Sequence, residues 1–96
     1  MTAYMIFIRE GAIFDAEEMK EYSRKNKENV GDFNLTLLSA YGALEPLEGE
    51  PADGIVLLQF PTVEEARAWY NSPGYQAAIP HRKKGANYRA MILEGL

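Results

Sequence analysis

Two short segments, AYMIFIR at 3–9 and IVLLQF at 55–60, are apolar at odd and even positions alike. Side chains alternate between the two faces of a β-strand, so strands of this kind are covered on both faces. A chain of 96 residues has few other elements with which to cover them. Its helices can sit on one face, and something else must cover the other.

The remaining segments supply those helices. In GAIFDAEEMKEYSRKN, Asp15 is placed as an N-cap and Glu18 as its capping-box partner. Glu17 and Lys20, Glu21 and Arg24, and Glu21 and Lys25 are spaced to pair on an exposed face. The inward stripe Ala16, Met19, Tyr22, Ser23, Asn26 turns polar in its second half, which a helix resting on a dry core would not need. Asn29 and Gly31 are expected to end this helix. NLTLLSAYG (34–42) reads as a strand and EPLEGEPADG (45–54) as a long hairpin connection. In PTVEEARAWY, Thr62 caps a second helix and Glu65 completes its capping box. Ser72 as N-cap and Pro73 at the first helical position start a third helix at a corner. NYRAMILE (87–94) is the last strand.

Strand, helix, strand, strand, helix pair, strand is the ferredoxin-like βαββαβ order. The expectation is a single α+β domain over 1–96, with an antiparallel sheet and helices on one face. A second copy is the simplest cover for the other face. The expected assembly is a homodimer, a dimeric α+β barrel. The even positions Tyr4, Ile6, Ile8 and Val56, Leu58, Phe60 are nearly pure hydrocarbon and are predicted to face the helices. The odd positions mix apolar residues with polar ones: Arg9 on the first strand, Ser39 and Tyr41 on the second, Gln59 on the third, Arg89 on the fourth. They are predicted to line a dimer-facing cavity suited to a small molecule. The alternative is that Arg9, Gln59 and Arg89 are strand-end residues reaching water.

The formal net charge is −4, which argues against nucleic acid as a partner. IVLLQF also lacks the stacking aromatics of an RNA-binding sheet. No apolar run reaches membrane-spanning length, so no membrane partner is expected. The apolar N-terminus lacks the basic flank of a signal peptide, and a cytoplasmic location is the default expectation. There is no cysteine and a single histidine, so no metal and no cofactor are expected.

His81 is suited to general acid–base work, or is a surface histidine at a basic helix end. Tyr22 and Tyr41 are the candidate proton donors alongside it. Arg9 or Arg82 would hold a carboxylate or enolate oxygen. Ser39, Gln59, Tyr70, Tyr75, Arg89 and Asn26 complete the candidate ligand-binding set. Each tyrosine also reads as an amphipathic residue at the core edge.

FPTVEEARAWYNSPGYQAAIPHRKKGA (60–86) resembles the signature half of the domain of unknown function 1330 family. LEPLEG (44–49) resembles that family's Glu-x-Leu-Glu-Gly loop, and AYMIFI its first strand. The resemblance implies the dimeric α+β barrel fold. Related barrels include cofactor-free monooxygenases, muconolactone-type isomerases and haem-handling enzymes. Family members often carry Arg-Gly-Gly where this chain has Tyr41-Gly42-Ala43. The expected function is a cofactor-independent enzyme doing proton-transfer chemistry, such as an isomerase or lyase, on a small, partly apolar molecule. The alternative is a non-catalytic ligand-binding or stress-related dimer. A monooxygenase or a haem-handling protein, with His81 as the one available imidazole ligand, ranks below both.

Overall fold

The two doubly apolar segments lie side by side at the centre of a four-stranded antiparallel sheet in the computed structural model, which describes residues 1–29 and 33–96. They are β1 (Ala3–Arg9) and β3 (Gly54–Phe60); β2 (Thr36–Ala40) and β4 (Tyr88–Glu94) form the edges, in the order β2-β3-β1-β4. Helices α1 (Ala16–Asn29), α2 (Val63–Tyr70) and α3 (Pro73–Gly85) cover one face. The fold is ferredoxin-like α+β, as the element order requires. No helix among the described residues is long and apolar enough to cross a membrane.

Local chemistry sets the helix ends. Asp15 Oδ1 accepts from the backbone N–H groups of Glu17 and Glu18, at 3.1 and 3.2 Å. Thr62 Oγ1 accepts from Glu65 N at 3.1 Å. Ser72 differs from expectation. It occupies the N-cap position of α3 without a side-chain capping bond, and its hydroxyl instead donates back to the Trp69 carbonyl at 2.6 Å. The corner is thus held from the α2 side. The expected stop at Gly31 lies outside the described residues.

Gly85 closes α3 against the start of α1. Its carbonyl accepts from Phe14 N and Asp15 N, and a Cβ there would lie 2.7 Å from Met19. Only glycine allows α1 and α3 to meet this closely.

The core lies between helices and sheet. Met5, Phe7, Leu58 and Phe60 meet Tyr22, Ala66, Trp69, Tyr75, Ala78 and Ile79. Trp69 and Tyr75 have ring centroids 4.1 Å apart, and Phe7 meets Trp69 edge-on at 6.2 Å. These rings anchor the helix pair on the sheet.

The predicted parity holds for β3 and β4, fails for β1, and on β2 fails at Leu37 and holds at Ser39. On β1 the odd residues Met5 and Phe7 are in the core, while Tyr4, Ile6 and Ile8 face away from the helices. The pairing forces this: Met5 stands opposite Leu58 and Ile92, and Phe7 opposite Val56 and Ala90. On β2 a bulge between Leu37 and Ser39 reverses the alternation. Leu37 therefore shares a face with Leu58, and Ser39 shares the opposite face with Leu57. That opposite face carries Tyr4, Ile6, Ile8, Ile55, Leu57, Met91 and Leu93, and no helix covers it.

Candidate functional site

The polar second half of α1 lies over the β2–β3 side of the sheet and leaves a pocket of about 250 Å³ there. Its apolar wall is Phe7, Leu35, Leu37, Val56, Leu58 and Trp69; its polar lining is Tyr22, Ser23, Asn26, Lys27, Tyr41 and Tyr88. An open groove lined by Arg9, Ile13, Met19, Lys20 and Arg24 adjoins it and shares Ser23, Lys27 and Tyr41 with it. The pocket is on the helix side, not on the dimer-facing side where the odd-position reading put it.

At the inner end, the Tyr22 and Tyr75 hydroxyls are 2.8 Å apart, and Arg82 Nη1 donates to Tyr75 at 3.2 Å. The guanidinium only donates, so the Tyr75 oxygen accepts. Tyr75 is fully buried, and among the described residues the hydroxyl its own proton meets is that of Tyr22. In that arrangement Tyr75 donates to Tyr22, and the Tyr22 proton is left for whatever occupies the pocket. Burial pushes the Tyr22 hydroxyl above its ordinary range, against the opposing pull of Tyr75 and Arg82. Burial raises Tyr75 further, with the neighbouring Tyr22 adding to it. Both remain neutral donors at physiological pH.

Arg82 itself is 5% exposed and has no carboxylate partner among the described residues. Its guanidinium carbon stands 5.5 Å from the Phe7 ring centroid and 5.7 Å from that of Tyr88. The ring faces supply part of what water would otherwise give the charge.

The outer end is built differently. Tyr41 sits at φ 56°, a left-handed conformation uncommon for a bulky residue. Its ring packs on Gly54, where a Cβ would come within 2.8 Å of it. The Tyr41 hydroxyl meets that of Tyr88 at 2.6 Å, and burial is the main cause raising its pKa, followed by that hydrogen bond. Arg9 stands opposite both Gly54 and Tyr88 in the sheet. Its Nη2 donates to the Asp53 carbonyl at 2.8 Å, and its guanidinium carbon is 5.7 Å from the Tyr41 ring centroid. Two further side chains of the pocket wall hold buried polar atoms without a partner, Asn26 Oδ1 and Trp69 Nε1.

Of the residues singled out in the sequence, Tyr22, Asn26 and Tyr41 line the pocket, Tyr75 and Arg82 stand behind it, and Arg9 is at its mouth. The others lie elsewhere. His81 Nδ1 is 2.6 Å from Glu18 Oε2, in a pair that links α3 to α1 outside the pocket. The Tyr70 ring packs on Tyr75, and its carbonyl accepts from Gln76. Ser39 and Gln59 face the uncovered side of the sheet, as does Arg89, which pairs with Glu10. Sequence reasoning missed Lys27 and Tyr88; no signal in the sequence set Tyr88 apart, since the cavity was expected on the other face of the sheet. Among the described residues no group of three or more histidines and carboxylates could hold a metal ion.

Several solved structures share this fold. A protein of unknown function from Rhodopseudomonas palustris, RPA0582, is 17% identical with a TM-score of 0.69, over 99% of this chain and 82% of that one. A dimeric ferredoxin-like protein of unknown function from Thermobifida fusca is 14% identical with a TM-score of 0.62, over 97% and 90%. SnoaB of Streptomyces nogalater, described as a cofactor-independent oxygenase, is 12% identical with a TM-score of 0.52, over 99% and 91%. Among curated proteins, none matches the chain. The family model for domain of unknown function 1330 matches residues 2–96, nearly the whole chain including the corner at Ser72 and Pro73, and the chain belongs to that family.

Proposed function

We propose that the pocket between α1 and the sheet binds a small, partly apolar molecule, and that the protein acts on it by proton transfer without a cofactor. The observation that carries this reading is the Tyr22 hydroxyl, whose proton the Arg82–Tyr75 pair leaves free to enter an otherwise apolar pocket. A donor held in place before the reaction stabilises charge developing on a carbonyl or enolate oxygen at no reorganisation cost. Oxygen chemistry is a variant of the same reading, supported by the fold shared with SnoaB. Non-catalytic binding is the second reading. It is favoured by the pocket lining, which among the described residues offers donors and one lysine but no carboxylate or imidazole as a general base.

A small-molecule fragment screen by thermal shift, followed by crystallography of the hits, tests both. Hits seated in the pocket and weakened by Tyr22→Phe are expected. Turnover of such a compound that Tyr22→Phe abolishes favours the enzyme; binding without turnover favours the second reading. A pocket that stays empty across the screen overturns both.

A second copy of the chain is the proposed cover for the apolar sheet face, since a same-fold relative is described as dimeric. Sedimentation should give a dimer and Leu57→Glu a monomer. A wild-type monomer at micromolar concentration would sink the assignment.

A further inference from the structure

We propose that the ligand of this pocket is a small anion with an apolar body, in its simplest form a monocarboxylate, whose charge is received at the mouth by Arg9 and Lys27. The proposal rests on the reading of the pocket as a ligand site and adds the chemical class of what it takes.

The chain is acidic, with 14 Asp and Glu against 10 Lys and Arg. Yet among the described residues no carboxylate lines either the pocket or its adjoining groove. Four cations do. Two of them are neutralised within α1, Lys20 by Glu17 and Arg24 by Glu21 and Glu28. The other two, Arg9 and Lys27, have no ion pair among the described residues. Arg9 uses one Nη on a backbone carbonyl, and its Nε is enclosed without a partner. The nearby Asp53 carboxylate accepts from Gly11 N at 2.7 Å and forms no ion pair with Arg9. Arg82 adds a third charge without a counter-ion directly behind the inner end.

Charges drawn partly out of water are costly unless compensated. Arg9 and Arg82 are in that position beside this apolar pocket, and the exposed Lys27 adds a mobile charge at its mouth. A bound carboxylate would supply the compensation, and a guanidinium matches its geometry. The volume limits the body of the ligand. A cavity of about 150 Å³ holds benzene, so 250 Å³ admits an aromatic ring with a short substituent.

The test is calorimetric titration of benzoate, phenylacetate and hexanoate, each beside its neutral amide, into wild type, Arg9→Gln and Lys27→Gln. Lys84→Gln, an exposed lysine away from the pocket, controls for net charge alone. An acid that binds should do so about tenfold more tightly than its amide, the scale of one charge-assisted hydrogen bond. It should lose about tenfold in Arg9→Gln and Lys27→Gln and be unchanged in Lys84→Gln. Amides that bind as tightly as acids, or a Lys84→Gln effect equal to that of Lys27→Gln, overturn the anion and leave the pocket as a ligand site. Failure of both acids and amides to bind wild type overturns the anion proposal together with the pocket reading. Lys27 is exposed on α1, so its variant is informative even if Arg9→Gln perturbs the strand end.

Discussion

The pocket has two pairs of tyrosines, held by opposite means. Tyr22 and Tyr75 come from regular helices, stack among core aromatics, and take their proton direction from a buried arginine. Tyr41 and Tyr88 meet at the mouth, where one of them rests on a left-handed backbone and on the bare Cα of Gly54. The inner pair is part of what holds the fold together. The outer pair is placed by a local backbone arrangement, and of its two rings Tyr88 packs on the edge of the core while Tyr41 is exposed. Chemistry at the inner end is therefore the more tightly tied to stability.

Substitutions at the two ends probe that contrast. The largest difference is expected between Tyr75→Ala and Tyr41→Ala: about 3–5 kcal/mol of stability for the first, and under about 1 kcal/mol for the second, by urea denaturation. Equal losses would break the comparison. Tyr22→Phe deprives the buried Tyr75 proton of its acceptor and should cost about 1–3 kcal/mol. Tyr41→Phe and Tyr88→Phe should cost less than about 0.5 kcal/mol each.

Alkaline titration sharpens the same point. Tyr22, Tyr41 and Tyr75 all have raised pKa values in the folded protein. A raised pKa means that the folded state holds its proton more tightly than the unfolded chain does. The contribution to stability is whole below the unfolded value of about 10 and is lost as the pH rises above it. Stability measured across that range should fall, and less steeply in Tyr22→Phe than in wild type. Gly54→Ala acts on the outer pair by another route: the added methyl must push the Tyr41 ring from its seat, at about 1 kcal/mol, and ligand binding should change more than the core does. Least affected of all should be ligand binding in His81→Ala, which removes a partly buried pair outside the pocket at a cost to stability of no more than about 1 kcal/mol.

The fold was legible because capping residues and turn chemistry mark each element end, and because two doubly apolar strands leave few arrangements open. The polar half of α1 was legible for a similar reason, since Ser23 and Asn26 stand where a dry core wants hydrocarbon. Which face each strand turned to the helices was not. Parity identifies a face only when one set of positions is polar, and on β1 both sets are apolar up to Arg9. On β2 the bulge breaks the count within the strand. Arg82 was singled out, but its burial was hidden in a run with Lys83 and Lys84, where nothing but helix phase separates the buried cation from its two exposed neighbours.

The junction at Gly85 gives α1 the mechanics of a lever. The helix is clamped at its first turn by two hydrogen bonds to one carbonyl and by the missing methyl beside Met19. Asn26 and Lys27 lie some dozen residues farther along, about 17 Å from that fulcrum at 1.5 Å per residue. A tilt of about 10° would leave the clamp almost still and carry those two side chains about 3 Å over that length. A substitution at Gly85 would thus reach the pocket through the helix, although the glycine touches none of its walls.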